Sequence, residues 1–191
     1  MTFSRKHAGA EYRREVTVVA GMDTDQLAAY RTNKDDFLAT SPHSPLPAGK
    51  QEGFNGLRYY APNPDLVFNL KVEPADGSRV QVQTSDGAVR EYERAGTVSF
   101  VVDGAAARLT LYDTGHDGLF VPFRDATSGH ATYGAGRYLD LRPNSNGTVP
   151  LDFNLAYNPF CAYNTAYSCP LPPHENWLDV AIAAGELDFE A

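Results

Sequence analysis

Arg137 opens the stretch RYLDLR (137–142), where apolar Leu139 and Leu141 alternate with polar neighbours. If the leucines face a core, the two-residue period of a strand puts Arg137 on their face, with Tyr138, Asp140 and Arg142 pointing away. A guanidinium on an apolar face needs a partner, because an isolated buried charge is very costly. Asp125, Asp152 and Glu175 are the candidate partners, although alternation in VPLDF puts Asp152 opposite Leu151 and Phe153. Two uses stay open: a structural salt bridge or strand-end arginine reaching water, and an arginine held in a pocket to grip a carboxylate or phosphate.

The preceding stretch, VPFRDATSGHATYGAG (121–136), sets Arg124 and Asp125 at the end of an aromatic segment and follows them with a hydroxyl- and glycine-rich loop. Such a loop can offer backbone N–H groups to an anion. Gly134-Ala135-Gly136 lacks the strand–turn–helix context of a dinucleotide fingerprint, and no Gly-x-Ser-x-Gly elbow activates Ser128. No cofactor is therefore expected. Asp113-Thr114-Gly115 resembles the catalytic triplet of retroviral-type aspartic proteases, but only over three residues. His116 stands where that family has alanine or serine, and Asp117-Gly118 makes a hairpin turn the simpler reading.

NPFCAYNTAYSCPLPPHENWL (158–178) holds both cysteines and the sole tryptophan. Cys161 and Cys169 are eight apart, unlike the Cys-x₂₋₄-Cys spacing of a zinc knuckle, so no metal site is expected even with His174 and Glu175 nearby. A disulfide closing so short a loop would add roughly 2.5 kcal/mol on the chain-entropy estimate. Two packed thiols, acting as small hydrophobes, are the leading reading and the disulfide an optional one. Pro170, Pro172 and Pro173 hold an extended path that projects Glu175 and Asn176. The same prolines also make a rigid crossover to a last strand, LDVAI (178–182).

These residues need elements to position them. Asp23 with Gln26 three residues on is a capping-box-like start. Leu27, Tyr30, Lys34, Phe37 and Leu38 then share a helical face, which predicts a helix over 24–38 that ends before SPHSPLP. From Leu57 the period becomes two: VQVQT (80–84), TVSFVV (97–102), RLTLY (108–112) and VPLDF (149–153) read as half-buried strands. Asp76-Gly77, Asp86-Gly87, Asp103-Gly104, Asp117-Gly118 and Asn146-Gly147 supply turns that tolerate positive φ. The expected fold is mainly β: an antiparallel meander of roughly nine or ten strands, closing into a barrel or a two-sheet sandwich. One N-terminal helix packs outside it. Residues 1–22 form an extension, and 23–191 a single β-rich domain.

With 191 residues, 42% of them hydrophobic, the chain can bury a real core. The body from residue 23 onward sets twelve basic side chains against twenty-two acidic ones. That balance opposes non-specific nucleic-acid binding, which depends on Lys and Arg neutralising phosphates. The basic head (Arg5, Lys6, Arg13, Arg14) reads as a solvated tail. No apolar run approaches a membrane span and VTVVAG is too short for a signal core, so a cytoplasmic protein without membrane or nucleic-acid partners is expected.

Several stretches together resemble the family known as domain of unknown function 1684. They are RTNKDDF, HSPL, GLRYYAP, LFVPFRDATSGHATYGAGRYLDL, LDFNLAYNPFCAYNTAYSCPLPPHEN and the closing AGE, which span most of residues 31–186. Where the family motif more usually has a third proline, this chain has His174, which weakens any catalytic or metal role for that residue. The resemblance implies no established activity. It does single out the polar residues Arg124, Asp125, Tyr133, Arg137, Asp140, Asp152, Asn154, Tyr157, Asn158, Glu175 and Asn176.

A subset of these converging at one end of the sheets would suit a small polar or anionic ligand. Arg124 and Arg137 would bind the anion beside Asp125; Asn154, Asn158 and Asn176 would orient it. Asp152 and Glu175 are the candidate proton acceptors if the protein is instead a metal-independent hydrolase or isomerase. A structural or protein-interaction domain is the third class.

Overall fold

The structure, a computed structural model, describes residues 22–115 and 118–189. The N-terminal extension up to residue 21 and the His116-Asp117 pair lie outside the described residues, and with them the basic head and half of the Asp117-Gly118 turn. Helix α1 (Thr24–Thr40) starts as its sequence demands. Asp23 accepts from the Gln26 backbone N–H while the Gln26 side chain accepts from the Asp23 N–H, so both partners satisfy end groups of the first turn. It runs two residues past the predicted end and stops before Pro42. A short helix α2 (Ala48–Gln51) follows.

Eight strands form two antiparallel sheets among the described residues. They are β1 (Val67–Lys71), β2 (Glu73–Pro74), β3 (Arg79–Gln83), β4 (Val89–Val102), β5 (Ala105–Asp113), β6 (Leu119–Phe123), β7 (Arg137–Leu141) and β8 (Thr148–Asp152). β1 pairs with β8, while β4, β5, β6 and β7 lie side by side with β2 and β3 along the other edge of β4. The sheets do not close into a barrel, consistent with the sandwich alternative. Asp103 (φ 50°) and Gly104 (φ 80°) make the two-residue turn that pairs Val102 with Ala105, as their sequence predicts. Asp76-Gly77 does not join a hairpin, because β2 and β3 pair in succession with the same strand.

Phe153 sits at the centre of the core, with ring centroids of Phe68, Phe100 and Phe123 at 6.3, 5.5 and 5.4 Å. Val98, Phe100 and Val102 of β4 face it, and the residues between them point outward. β7 departs from that alternation: Tyr138, expected to point to solvent, is buried together with Leu139. The cause is the stretch from Tyr157 to Trp177, which covers the outer face of the sheet. Tyr138 exchanges backbone hydrogen bonds with Tyr157 and donates its hydroxyl to the Pro170 carbonyl at 2.5 Å. Leu171 N donates to Gln83 O at 2.7 Å, so the same stretch covers the edge of β3.

The predicted last strand over 178–182 is a correction. Leu178 and Val180 bond to Arg124 and Ala126 at single points, and no ladder forms. The segment is a strap that buries Leu178, Ile182 and Ala184 in the core. Among the described residues no helix is long and apolar enough to cross a membrane.

Candidate functional site

β7 delivers Arg137 to the core face, as its alternation requires, and the guanidinium and its partner Asp125 are fully buried. Of the three candidate carboxylates Asp125 is the one used: Arg137 Nη2 donates to its Oδ2 at 2.9 Å. Nη2 also donates to Ile182 O at 2.9 Å, and Nη1 to the carbonyls of Ala184 and Glu186. Asp125 Oδ1 accepts from Thr127 N at 2.8 Å and Thr127 Oγ1 at 2.6 Å. The pair therefore fastens the C-terminal strap to β7 and to the 125–132 loop. Hydrogen bonds from several sides are what make a buried ion pair tolerable.

The strap carries a second ion pair. Glu186 Oε1 accepts from Lys34 of α1, and Glu186 Oε2 accepts from Asn158 N at 2.8 Å and the Tyr163 hydroxyl at 2.7 Å. Arg31, nearly one helical turn before Lys34, lies on the same side of α1. Its guanidinium sits 4.3 Å above the Tyr59 ring, and Nη1 donates to Tyr60 O at 3.3 Å. Arg31 Nε and Nη2 are buried without a hydrogen-bond partner among the described residues. Burial pushes the Arg31 pKa down, against an opposing pull from Tyr59, Glu186 and Asp152. The Asn158 side-chain oxygen is likewise buried without a partner among the described residues, while its Nδ2 donates to Leu187 O at 2.8 Å.

The remaining predicted residues divide between two places. Asp152 and Asn154 are buried at the end of β8. Asp152 Oδ1 accepts from Asn154 N and Nδ2, both at 2.9 Å, and Asn154 exchanges hydrogen bonds with the backbone of Asn63. On the outer side of the sheet, Asn176 accepts from Thr110 N at 2.7 Å and donates to Thr110 O and Pro122 O, splinting β5 to β6. Glu175 accepts from Arg94 and, at 2.5 Å, from the Tyr112 hydroxyl. Burial alone would raise Glu175, but these two donors outweigh it and hold the carboxyl below its ordinary range. Arg124 stacks on Trp177, 4.6 Å from the ring centroid, and His174 packs on the same ring at 5.0 Å. Neither His174 nor Glu175 joins Cys161 and Cys169, which are buried free thiols.

Comparison with known sequences places residues 52–187 within a family model described as protein of unknown function (DUF1684). The chain belongs to this family. The solution structure of an uncharacterized protein of Haloarcula marismortui is 38% identical to it. That likeness spans 97% of this chain and all of the other, with a TM-score of 0.67. Among curated proteins, none matches the chain.

The DUF1684 match ends just after Glu186 and begins after α1, so Arg31 and Lys34 lie outside the matched family span while Glu186, the carboxylate partner of Lys34, lies within it. Arg31, Lys34, Tyr163 and Glu186 are the residues that reading the sequence for a site passed over. A signal was present. Lys34 falls on the apolar face of α1 with Leu27 and Leu38, and a lysine there demands a carboxylate for the same reason that Arg137 does.

Proposed function

We propose that this DUF1684 domain binds a small polar ligand bearing a carboxylate or phosphate, with Arg31 as the anion-binding side chain. One observation carries the reading: the Nε–Nη2 edge of Arg31 is buried and meets no acceptor among the described residues. Buried polar groups in folded proteins nearly always have partners, and that edge presents two parallel N–H bonds in the spacing of a carboxylate or phosphate. Glu186 is occupied by Lys34, Asn158 and Tyr163, so it attracts Arg31 without satisfying it. Asp152, close enough to attract Arg31, would orient a hydroxyl or ammonium on the same ligand. Asn154, Asn158, Asp125 and Arg137 shape the surroundings by holding the Asn63 backbone and the strap. In this reading Arg124 and Asn176 lie apart, on the outer face.

The enzyme alternative needs a carboxyl with a raised pKa beside an arginine. Glu175 sits beside Arg94, but its pKa is lowered. Glu175 is therefore not the raised carboxyl that the enzyme reading needs.

Titration calorimetry with inorganic phosphate and malonate as probes tests it. Binding at one site per chain, weakened roughly tenfold or more in Arg31→Met, is the expected result. Arg31→Lys, which keeps the charge but loses the fork, should retain only part of the affinity. No heat from either probe, or equal heat from wild type and a folded Arg31→Met, would overturn it.

A further inference from the structure

The buried cysteines are outside the binding reading and carry a separate proposal. Cys161 lies in the single helical turn Phe160–Ala162, and Cys169 lies in the extended segment that reaches β3. Cys161 N donates to Cys169 Sγ at 3.2 Å, which seats the second sulfur against the first residue. The Tyr133 hydroxyl donates to Cys161 Sγ at 3.7 Å. Ser85 fixes Cys169 from the other side: its N donates to Cys169 O at 2.8 Å, and Cys169 N donates to its Oγ at 3.1 Å. The eight-residue separation is bridged by a loop whose tip, Thr165 and Ala166, is exposed.

We infer that Cys161 and Cys169 form a reversible dithiol–disulfide pair, with Cys161 the nucleophile toward a hydroperoxide and Cys169 the resolving thiol. The environment treats the two sulfurs differently. The Cys169 thiol, with help from Tyr133 and Ser85, lowers Cys161 to about 7 against the opposing effect of burial. Its neighbour is pushed up by that same thiol contact and by burial, so Cys169 keeps the proton. A thiolate with neutral donors around it is the reactive form.

The chemistry balances with hydrogen peroxide as the oxidant. The Cys161 thiolate attacks one peroxide oxygen, the S–O bond forms, the O–O bond breaks, and hydroxide leaves to become water. Cys169 then attacks the sulfenic sulfur, gives up its proton, and displaces a second water as the S–S bond forms. Two thiols lose two electrons and one peroxide becomes two waters.

Oxidation would close the 161–169 loop covalently. That loop links three parts of the molecule: Tyr163 reaches Glu186, Asn164 donates to Pro45 O, and Ser168 donates to Asp86 at the β3–β4 turn. The disulfide would fix the segment that covers the outer face of the sheet.

The test is intact-mass analysis and thiol counting of the native full-length protein treated with hydrogen peroxide, then with a dithiol reductant. Wild type should lose both thiols and the mass of two hydrogens within one chain, and regain them on reduction. Cys169→Ser should stop at a sulfenic acid trapped by a dimedone-type reagent, whereas Cys161→Ser should lose the fast reaction. The wild-type rate should climb roughly tenfold between about pH 6 and pH 8 and then level off, where an ordinary thiol near 8.5 keeps climbing. Two thiols surviving peroxide in the folded wild type, disulfides only between chains, or Cys169 trapped as the sulfenic acid would each overturn the proposal.

Discussion

Lys34 in the leading helix and Glu186 near the end of the chain form an ion pair in which neither side chain is more than 2% exposed. The contact joins residues 152 positions apart and closes the strap over the core. Removing the charge from one side of such a pair is costly because the other side stays desolvated. Glu186→Gln keeps acceptor capacity for Asn158 N and the Tyr163 hydroxyl but takes away the negative charge that faces Lys34. Urea denaturation should show a loss of roughly 3 kcal/mol. A change under about 0.5 kcal/mol, the scale of an ordinary surface substitution, would mean that the pair does not hold the strap.

Asn176 makes three hydrogen bonds to the backbones of β5 and β6, so Asn176→Ala leaves a buried N–H and two carbonyls without that partner. A destabilisation of roughly 3 kcal/mol is expected by denaturant titration. Asn176→Asp should fare no better. It places a carboxylate against two carbonyl oxygens while replacing only the acceptor.

Gly185 takes φ +77°, and a Cβ there would lie 2.6 Å from Ala156 O and 2.8 Å from Phe153 O. Gly185→Ala should therefore cost more than about 2 kcal/mol, since backbone cannot yield as a flexible side chain can. Gly87 has a similar φ of +82° with open space around it, so Gly87→Ala should cost only about 1 kcal/mol. Melting temperatures of the two variants give the comparison directly.

Glu175 provides the pH signature. Its folded pKa lies below the ordinary 4.5, so its contribution to stability is present above that value and is lost as pH falls through the folded pKa. Trp177, two residues on, is the sole tryptophan and reports the region by fluorescence. Acid titration of wild type should show a loss of stability below about pH 4.5 that is reduced in Glu175→Gln; identical profiles would mean that Glu175 does not set the acid limit.

How far the sequence revealed this arrangement depends on the range of each interaction. The Asp23–Gln26 cap and the Asp103-Gly104 turn are written in adjacent residues, so they were legible. The core-facing position of Arg137 also followed, from strand period alone. LDVAI has the alternation of a strand, but its partners are single contacts from Arg124, Ala126 and the Arg137 guanidinium, which no local pattern encodes. Tyr138 reads as exposed until the stretch beginning at Tyr157 is laid over it. Arg124, Arg137 and Asn176 read as one ligand site because all three are polar residues of the stretches that resemble the family. The fold instead sends Arg137 inward and stations the other two on the outer face.

The Arg31 guanidinium is the group on which ligand binding turns, and its Nε–H resonance in a ¹⁵N-correlated NMR spectrum is the most direct reporter. Titration with malonate or inorganic phosphate should move that signal saturably, with smaller shifts at Tyr59 and Tyr60. A resonance that stays fixed across the titration, while surface arginines such as Arg79 drift with ionic strength, would contradict the assignment of Arg31 as an anion-binding residue.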